Sequence, residues 1–150
     1  MSISRRSFFM TVPVAIASVT PAVAATDTAP IRQPATLDAA HFMARAAEMR
    51  RRAIDSGDQA FGAAVVKDGR IVGQAPSRVV VNHDPTAHAE MEAIRDAARR
   101  LGTNDLSGCV IYSTSQPCRM CETAGYWAGL ARSYSGDAIA DNGRPRYSSC

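Results

Sequence analysis

A layered α/β domain, with helices packed on a mixed sheet, is the fold class that the chain predicts. Three observations carry it. Apolar residues recur at helical spacing through 36–55, a short apolar hairpin follows at 61–73 around an Asp-Gly pair, and beyond it helical and strand-like segments alternate, punctuated by Gly and Pro. The length of 150 residues amounts to one domain, and 46% hydrophobic with 21% charged residues is the composition of an ordinary globular protein.

The opening residues stand apart from that domain. Ser4, Arg5, Arg6, Ser7, Phe8 and Phe9 precede an apolar run at 12–19 and then Ala22, Val23, Ala24 and Ala25. A charged start, a short apolar stretch and a small-residue end make the layout of a signal peptide. The run is too short to span a bilayer as a helix. Adjacent arginines before Ser-Phe-Phe resemble a twin-arginine signal, which exports proteins already folded; a general secretory signal is the alternative. Residues 1–25 are therefore expected to be removed and 26–35 to form a flexible Pro-containing leader. Residues 36–150 make the domain, periplasmic or secreted and without a membrane span in its mature form.

Thr36 can cap a helix that runs to about Asp55, with Leu37, Met43, Ala46, Met49 and Ala53 at roughly helical spacing and Gly57 as terminator. Arg50, Arg51 and Arg52 fan around its axis and read as a solvated helix end, while His41 reads as a surface or half-buried residue. The hairpin turns at Asp68-Gly69. After a loop at 74–83, Asp84 can cap a second helix with Pro85 in its first position, ending at Gly102. Residues 109–113 form a third strand, Pro117 opens a helix from Cys118 to about Gly129, and 130–135 form a fourth strand.

Chemistry concentrates at the starts of the second and third helices. His88, Cys118 and Cys121 are one imidazole and two potential thiolates, the ligand count of a catalytic zinc that keeps its fourth position open for water. Cys118 and Cys121, at i and i+3, leave one face of a helix start, whose unpaired N–H groups and dipole favour thiolate. Glu90 is a spare carboxylate two residues from His88, placed to carry a proton. At i and i+2 on a regular helix, His88 and Glu90 would diverge by about 200°. A Cys118–Cys121 redox pair is the competing reading of the C-x-x-C spacing. Cys109 reads as a small buried hydrophobe and Cys150 as an exposed terminal thiol.

The pattern H-x-E…P-C-x-x-C resembles the signature of the zinc deaminases. The run 84–95 (DPTAHAEMEAIR) looks like the matching stretch of guanine deaminases and tRNA adenosine deaminases, and Tyr126-Trp127-Ala128 looks more like the guanine deaminase branch. The resemblance covers roughly 61–134. It implies a three-layer cytidine-deaminase-like fold and a homodimer. It also implies convergence of His88 and Glu90 at one zinc ion, Zn2+, through an adapted helix start. The implied reaction is hydrolytic deamination: water attacks the amino-bearing carbon, Glu90 passes protons to a ring nitrogen and the departing amine, and ammonia leaves. The resemblance further suggests that Phe61 and Trp127 stack on a purine, with core packing as the competing reading for each. It places backbone groups around Ala89 and Ser115 against the substrate. Tyr126 reads as core.

Two departures bear on the substrate. The related enzymes usually carry an Asn that contacts the base seven residues before Asp-Pro, where this chain has Ser77. A serine cannot reproduce an amide's paired donor and acceptor. The related enzymes also continue well beyond the fourth strand, with an acidic residue and an aromatic lid that 136–150 do not match. Charge speaks against nucleic acid: without Arg5 and Arg6, the 17 Lys and Arg fall to 15 against 14 Asp and Glu. A guanine-like free purine is the expected substrate. A weak or inactive zinc-binding protein on the same scaffold, or a nucleoside or RNA adenosine or cytidine deaminase, is the alternative.

Overall fold

The computed structural model describes residues 30–147. The export signal and the terminal Cys150 lie outside the described residues. Three helices and five strands follow in the order α1 (Ala39–Asp55), β1 (Gly62–Lys67), β2 (Arg70–Pro76), α2 (Ala89–Leu101), β3 (Val110–Ser113), α3 (Arg119–Trp127), β4 (Arg132–Ser135) and β5 (Ala140–Gly143). The strands form one mixed sheet in the order β2-β1-β3-β4-β5, with β3 and β4 parallel and the other pairs antiparallel. The expected layered α/β class holds. No helix among the described residues is long and apolar enough to cross a membrane.

Alternation along the strands builds two cores. Ala64, Val66 and Tyr112 face α1 and pack with Phe42, Met43 and Ala46. Ala63, Val65 and Ile111 face the other way and pack with Ala93, Ile94 and Ala97 of α2. A bulge between Val65 and Val66 shifts the register of β2, so that Ile71 joins the α1 side while Ala75 joins the α2 side. Two glycines let helix backbones sit directly on the sheet. A Cβ at Gly62 would lie 2.2 Å from Ala46 O in α1, and one at Gly73 would lie 2.6 Å from Ala93 O in α2. The hairpin turn is as expected, with Asp68 at φ 49° and Gly69 at φ 71°, the left-handed pair of a two-residue loop.

Three boundaries differ from expectation. Asp38, not Thr36, caps α1, accepting from His41 N at 2.9 Å. Asp84 does not cap α2. It accepts from Thr86 N at 2.8 Å and Thr86 Oγ1 at 2.7 Å, closing a separate turn, and α2 begins five residues later with His88 as its extended N-cap. Strand β5 was not expected, because Ala140, Asp141, Asn142 and Gly143 have low strand propensity and no apolar alternation. The end of the expected leader is held against the sheet: Gln33 donates to Ile71 O and accepts from Ile71 N, both at 2.8 Å.

Candidate metal centre

Strand directions bring the site together. Because β1 runs antiparallel to both β2 and β3, its start lies beside their ends, with Gly62 opposite Pro76 and Ala63 opposite Ser113. Phe61, Ser77, Thr114 and Ser115 therefore share one end of the sheet. Ser77 N donates to Phe61 O and Thr114 N to Gly62 O, each at 3.0 Å, and Arg78 N donates to Ala87 O at 2.9 Å, tying this rim to the segment that leads into α2.

His88 has φ −60° and ψ 153° and stands outside the helix, whereas Glu90 lies in its first turn. That break in the backbone removes the angular conflict of the i, i+2 spacing. Cys118 is likewise an extended N-cap, and Cys121 lies within the first turn of α3. The ligand atoms meet in a near-equilateral triangle: His88 Nδ1 is 3.7 Å from Cys118 Sγ and 3.7 Å from Cys121 Sγ, and the two sulfurs are 3.7 Å apart. Zn–S and Zn–N bonds of roughly 2.3 and 2.0 Å in a tetrahedron give S–S and S–N edges of about 3.8 and 3.5 Å. The triangle fits zinc, and its fourth vertex belongs to no fourth ligand among the described residues.

The two sulfurs differ in surroundings. Burial pushes the Cys121 thiol far up from its ordinary 9.0, and the Glu90 carboxylate and Cys118 push it further. The helix start favours thiolate, and at Cys121 burial acts against it. A cation held by the cluster would offset that burial. Cys118 is exposed, so the cluster has one wet and one dry sulfur. The buried Cys109 packs in the α2-side core, as expected.

Glu90 is 5% exposed, with Oε2 3.6 Å from Cys121 Sγ. Its Oε1 accepts from Ser113 Oγ at 2.6 Å. Ser113 was missed in the sequence. A signal was there, since it follows Ile111 by two on a buried strand and so puts a hydroxyl on a core face. Asp58 was also missed. It accepts from the N–H groups of Val80 and Val81 at 2.9 Å each and of Gln59 at 2.7 Å. Burial opposes ionisation of Asp58, but these donors outweigh it and hold its carboxyl below the usual value; the Ser77 hydroxyl contributes without closing a well-aligned hydrogen bond. Asp58 thereby fixes the loop after Ser77.

The expected substrate contacts divide. Phe61 is 40% exposed at the rim, Ser115 is half-buried beyond β3, and Ala89 is buried at the start of α2. Ser77 belongs to the same rim but is 1% exposed, enclosed beside Asp58. Trp127 is not brought to the cluster. It ends α3, six residues and about 9 Å of helix beyond Cys121. It is exposed and stands beside Tyr147, ring centroids 6.2 Å apart. Tyr126, expected in the core, is also exposed and lies 6.1 Å from Tyr147.

Comparison with known proteins points the same way. Residues 37–136 match the cytidine and deoxycytidylate deaminase zinc-binding region. The chain is 42% identical over 88 residues to guanine deaminase of Bacillus subtilis (strain 168), covering 58% of this chain and 56% of that one. It is 45% identical over 84 residues to a tRNA-specific adenosine deaminase of Aquifex aeolicus (strain VF5), covering 56% of each. The chain thus spans little more than half the length of these relatives. The X-ray structure of the B. subtilis guanine deaminase superposes with a TM-score of 0.64 at 37% identity, over 67% of this chain and 68% of that one.

Proposed function

The chain belongs to the cytidine and deoxycytidylate deaminase zinc-binding family, and from that premise we propose that it is a zinc-dependent hydrolytic deaminase of a free purine base, guanine first. The observation that carries this reading is the pairing of a three-ligand triangle with a carboxylate that is not one of the ligands, Glu90 beside Cys121. A closed structural zinc site has no use for such a group.

His88, Cys118 and Cys121 would hold the zinc, which when bound acts as a Lewis acid and brings the pKa of water toward neutrality. Glu90 would carry one proton of the attacking water to the ring nitrogen and then the second, from the new hydroxyl, to the amine, which departs as ammonia as the C–N bond breaks. Ser113 keeps Glu90 in place by occupying Oε1. The Phe61 ring offers a face for the base, and the backbone at Ala89 and Ser115 offers polar contacts to its edge. Ser77, enclosed beside Asp58, offers the base no contact in place of an amide's, which favours slow and poorly selective turnover.

Similarity to guanine deaminase and the near-neutral charge of residues 26–150 support a free base. The similarity to a tRNA-specific adenosine deaminase supports a second reading, in which the adenine is part of an RNA. Ammonia release by the purified zinc-loaded protein, measured on guanine, adenine, cytosine, their nucleosides and tRNA, separates the two. The free-base reading requires guanine to be best, and fastest turnover of tRNA or of a cytidine nucleoside overturns it. The protein acts, on this account, as an exported homodimer. Replacing both Arg5 and Arg6 by Lys should leave the precursor in the cytoplasm, whereas unchanged export would point to the general secretory route.

A further inference from the structure

A cavity opens off Glu90 and Cys121 and runs beneath α3 to β5, where Asn142 is exposed; Gln116, Glu122 and Ser133 line it, whereas His88 and Cys118 do not. It therefore meets the site on the side of the dry sulfur, away from the exposed Cys118. The sheet beneath it mixes Ile111 with polar residues. Tyr134 stacks on Tyr112 on the α1 side, so its neighbours Ser133 and Ser135 face α3. The parallel register places them beside Ile111 and Ser113 of β3. Three serines thus replace the aliphatic residues that fill the rest of this face.

Two of these hydroxyls are engaged within the protein. Ser113 donates to Glu90 at 2.6 Å, and Ser135 accepts from Asn142 Nδ2 at 2.9 Å. Ser133 is 4% exposed, and its hydroxyl has no hydrogen-bond partner among the described residues. A buried polar group without a partner is costly, and its usual remedy in a polar cavity is ordered water.

Resting on the deaminase reading above, we propose that this cavity is a solvent compartment serving Glu90, with a water held at Ser133 Oγ and a path for water and ammonia between Glu90 and the β5 edge. Each turnover forms one C–O bond and breaks one C–N bond. One water is consumed, its protons pass to the ring nitrogen and the leaving amine, and one ammonia is released. Both molecules are small, neutral and hydrogen-bonding, and Gln116, Ser133 and Asn142 offer them polar contacts between the apolar walls of Ile94, Ile111 and Leu130. While a base covers the rim at Phe61 and Ser115, the route beneath α3 lets them exchange.

The test uses the full zinc-loaded chain. A high-resolution crystal structure should show water within hydrogen-bond distance of Ser133 Oγ, and Ser133→Ala, which removes that water's partner, should lower Tm by about 3 °C. Ser133→Leu, which fills the cavity, should lower kcat for ammonia release about tenfold with KM unchanged and one zinc per chain retained; Ser133→Val serves if the leucine variant does not fold. A dry Ser133, or Ser133→Ala as stable as the parent, overturns the water site. Parent-like kcat in the filled variant overturns the exchange route. If the parent releases no ammonia from any base, the deaminase reading fails, and the crystal and melting measurements still decide the compartment.

Discussion

The Ser113 hydroxyl, sealed in the sheet face beneath α2 and α3, donates a 2.6 Å hydrogen bond to Oε1 of Glu90, whose Oε2 lies 3.6 Å from Cys121 Sγ. One oxygen of the carboxylate is thereby anchored and the other faces the cluster. Without the anchor the side chain is free to turn. Ser113→Ala should keep the zinc and lower kcat roughly tenfold or more, since a hydrogen bond to a charged group is worth ~1.5–3 kcal/mol. Ser113→Thr retains the hydroxyl and should recover most of the loss. Equal kcat in the alanine and threonine variants would mean that the contact does not position Glu90.

Metal content tests the triangle directly. Cys118→Ser should lose most of the zinc, because a hydroxyl is a poor ligand beside one thiolate and one imidazole. Cys109→Ala should keep it, because Cys109 is a core residue outside the cluster. Equal zinc in the two variants would contradict the ligand assignment.

Much of this site is legible in the sequence, and what is not has physical causes. The types and spacing of His88, Glu90, Cys118 and Cys121 pick out the three residues that could hold a metal and the carboxylate proposed as proton carrier. Their convergence does not follow from spacing, because it depends on α2 starting at Ala89, and Asp84 and Pro85 imitate an earlier start. The Asp84 side chain closes a local turn instead, a competition between side chain and helix that sequence leaves open. Strand β5 is hidden by its polar residues, since it is fixed by pairing with β4 and not by propensity. Ser113, Ser133 and Asp58 act through tertiary contacts 22 or more residues away or through a cavity; strand alternation can place the Ser113 hydroxyl on a core face, but it names no partner for any of the three.

Asp58 makes stability depend on pH. Its carboxyl lies below the ordinary 3.8 in the folded protein, so the unfolded chain binds the proton more tightly. The stabilisation is complete above that ordinary value and fades as pH falls through the lower folded value. Asp58→Asn should cost about 2 kcal/mol near neutral pH, and the gap between parent and variant should close in strong acid. Urea unfolding at neutral and acidic pH reads both. A gap that persists unchanged in acid would show that the carboxylate charge is not what holds the 77–83 loop.

Gly62 sets the distance between α1 and the sheet. A Cβ there would lie 2.2 Å from both Ala46 O and Arg50 N, which are backbone atoms that cannot rotate away. Gly62→Ala should cost about 3 kcal/mol through forced separation of α1 from β1. An unchanged urea midpoint would mean that the helix sits further from the strand.

The most direct test of the central claim is ammonia release from guanine by zinc-loaded Glu90→Gln, measured beside the parent with zinc content determined on the same samples. Glutamine keeps the size of the side chain and can still accept from Ser113, but it cannot carry the proton. The account expects one zinc per chain in both proteins and a rate at least ~10²-fold lower in the variant. Parent-like turnover by zinc-loaded Glu90→Gln would contradict it.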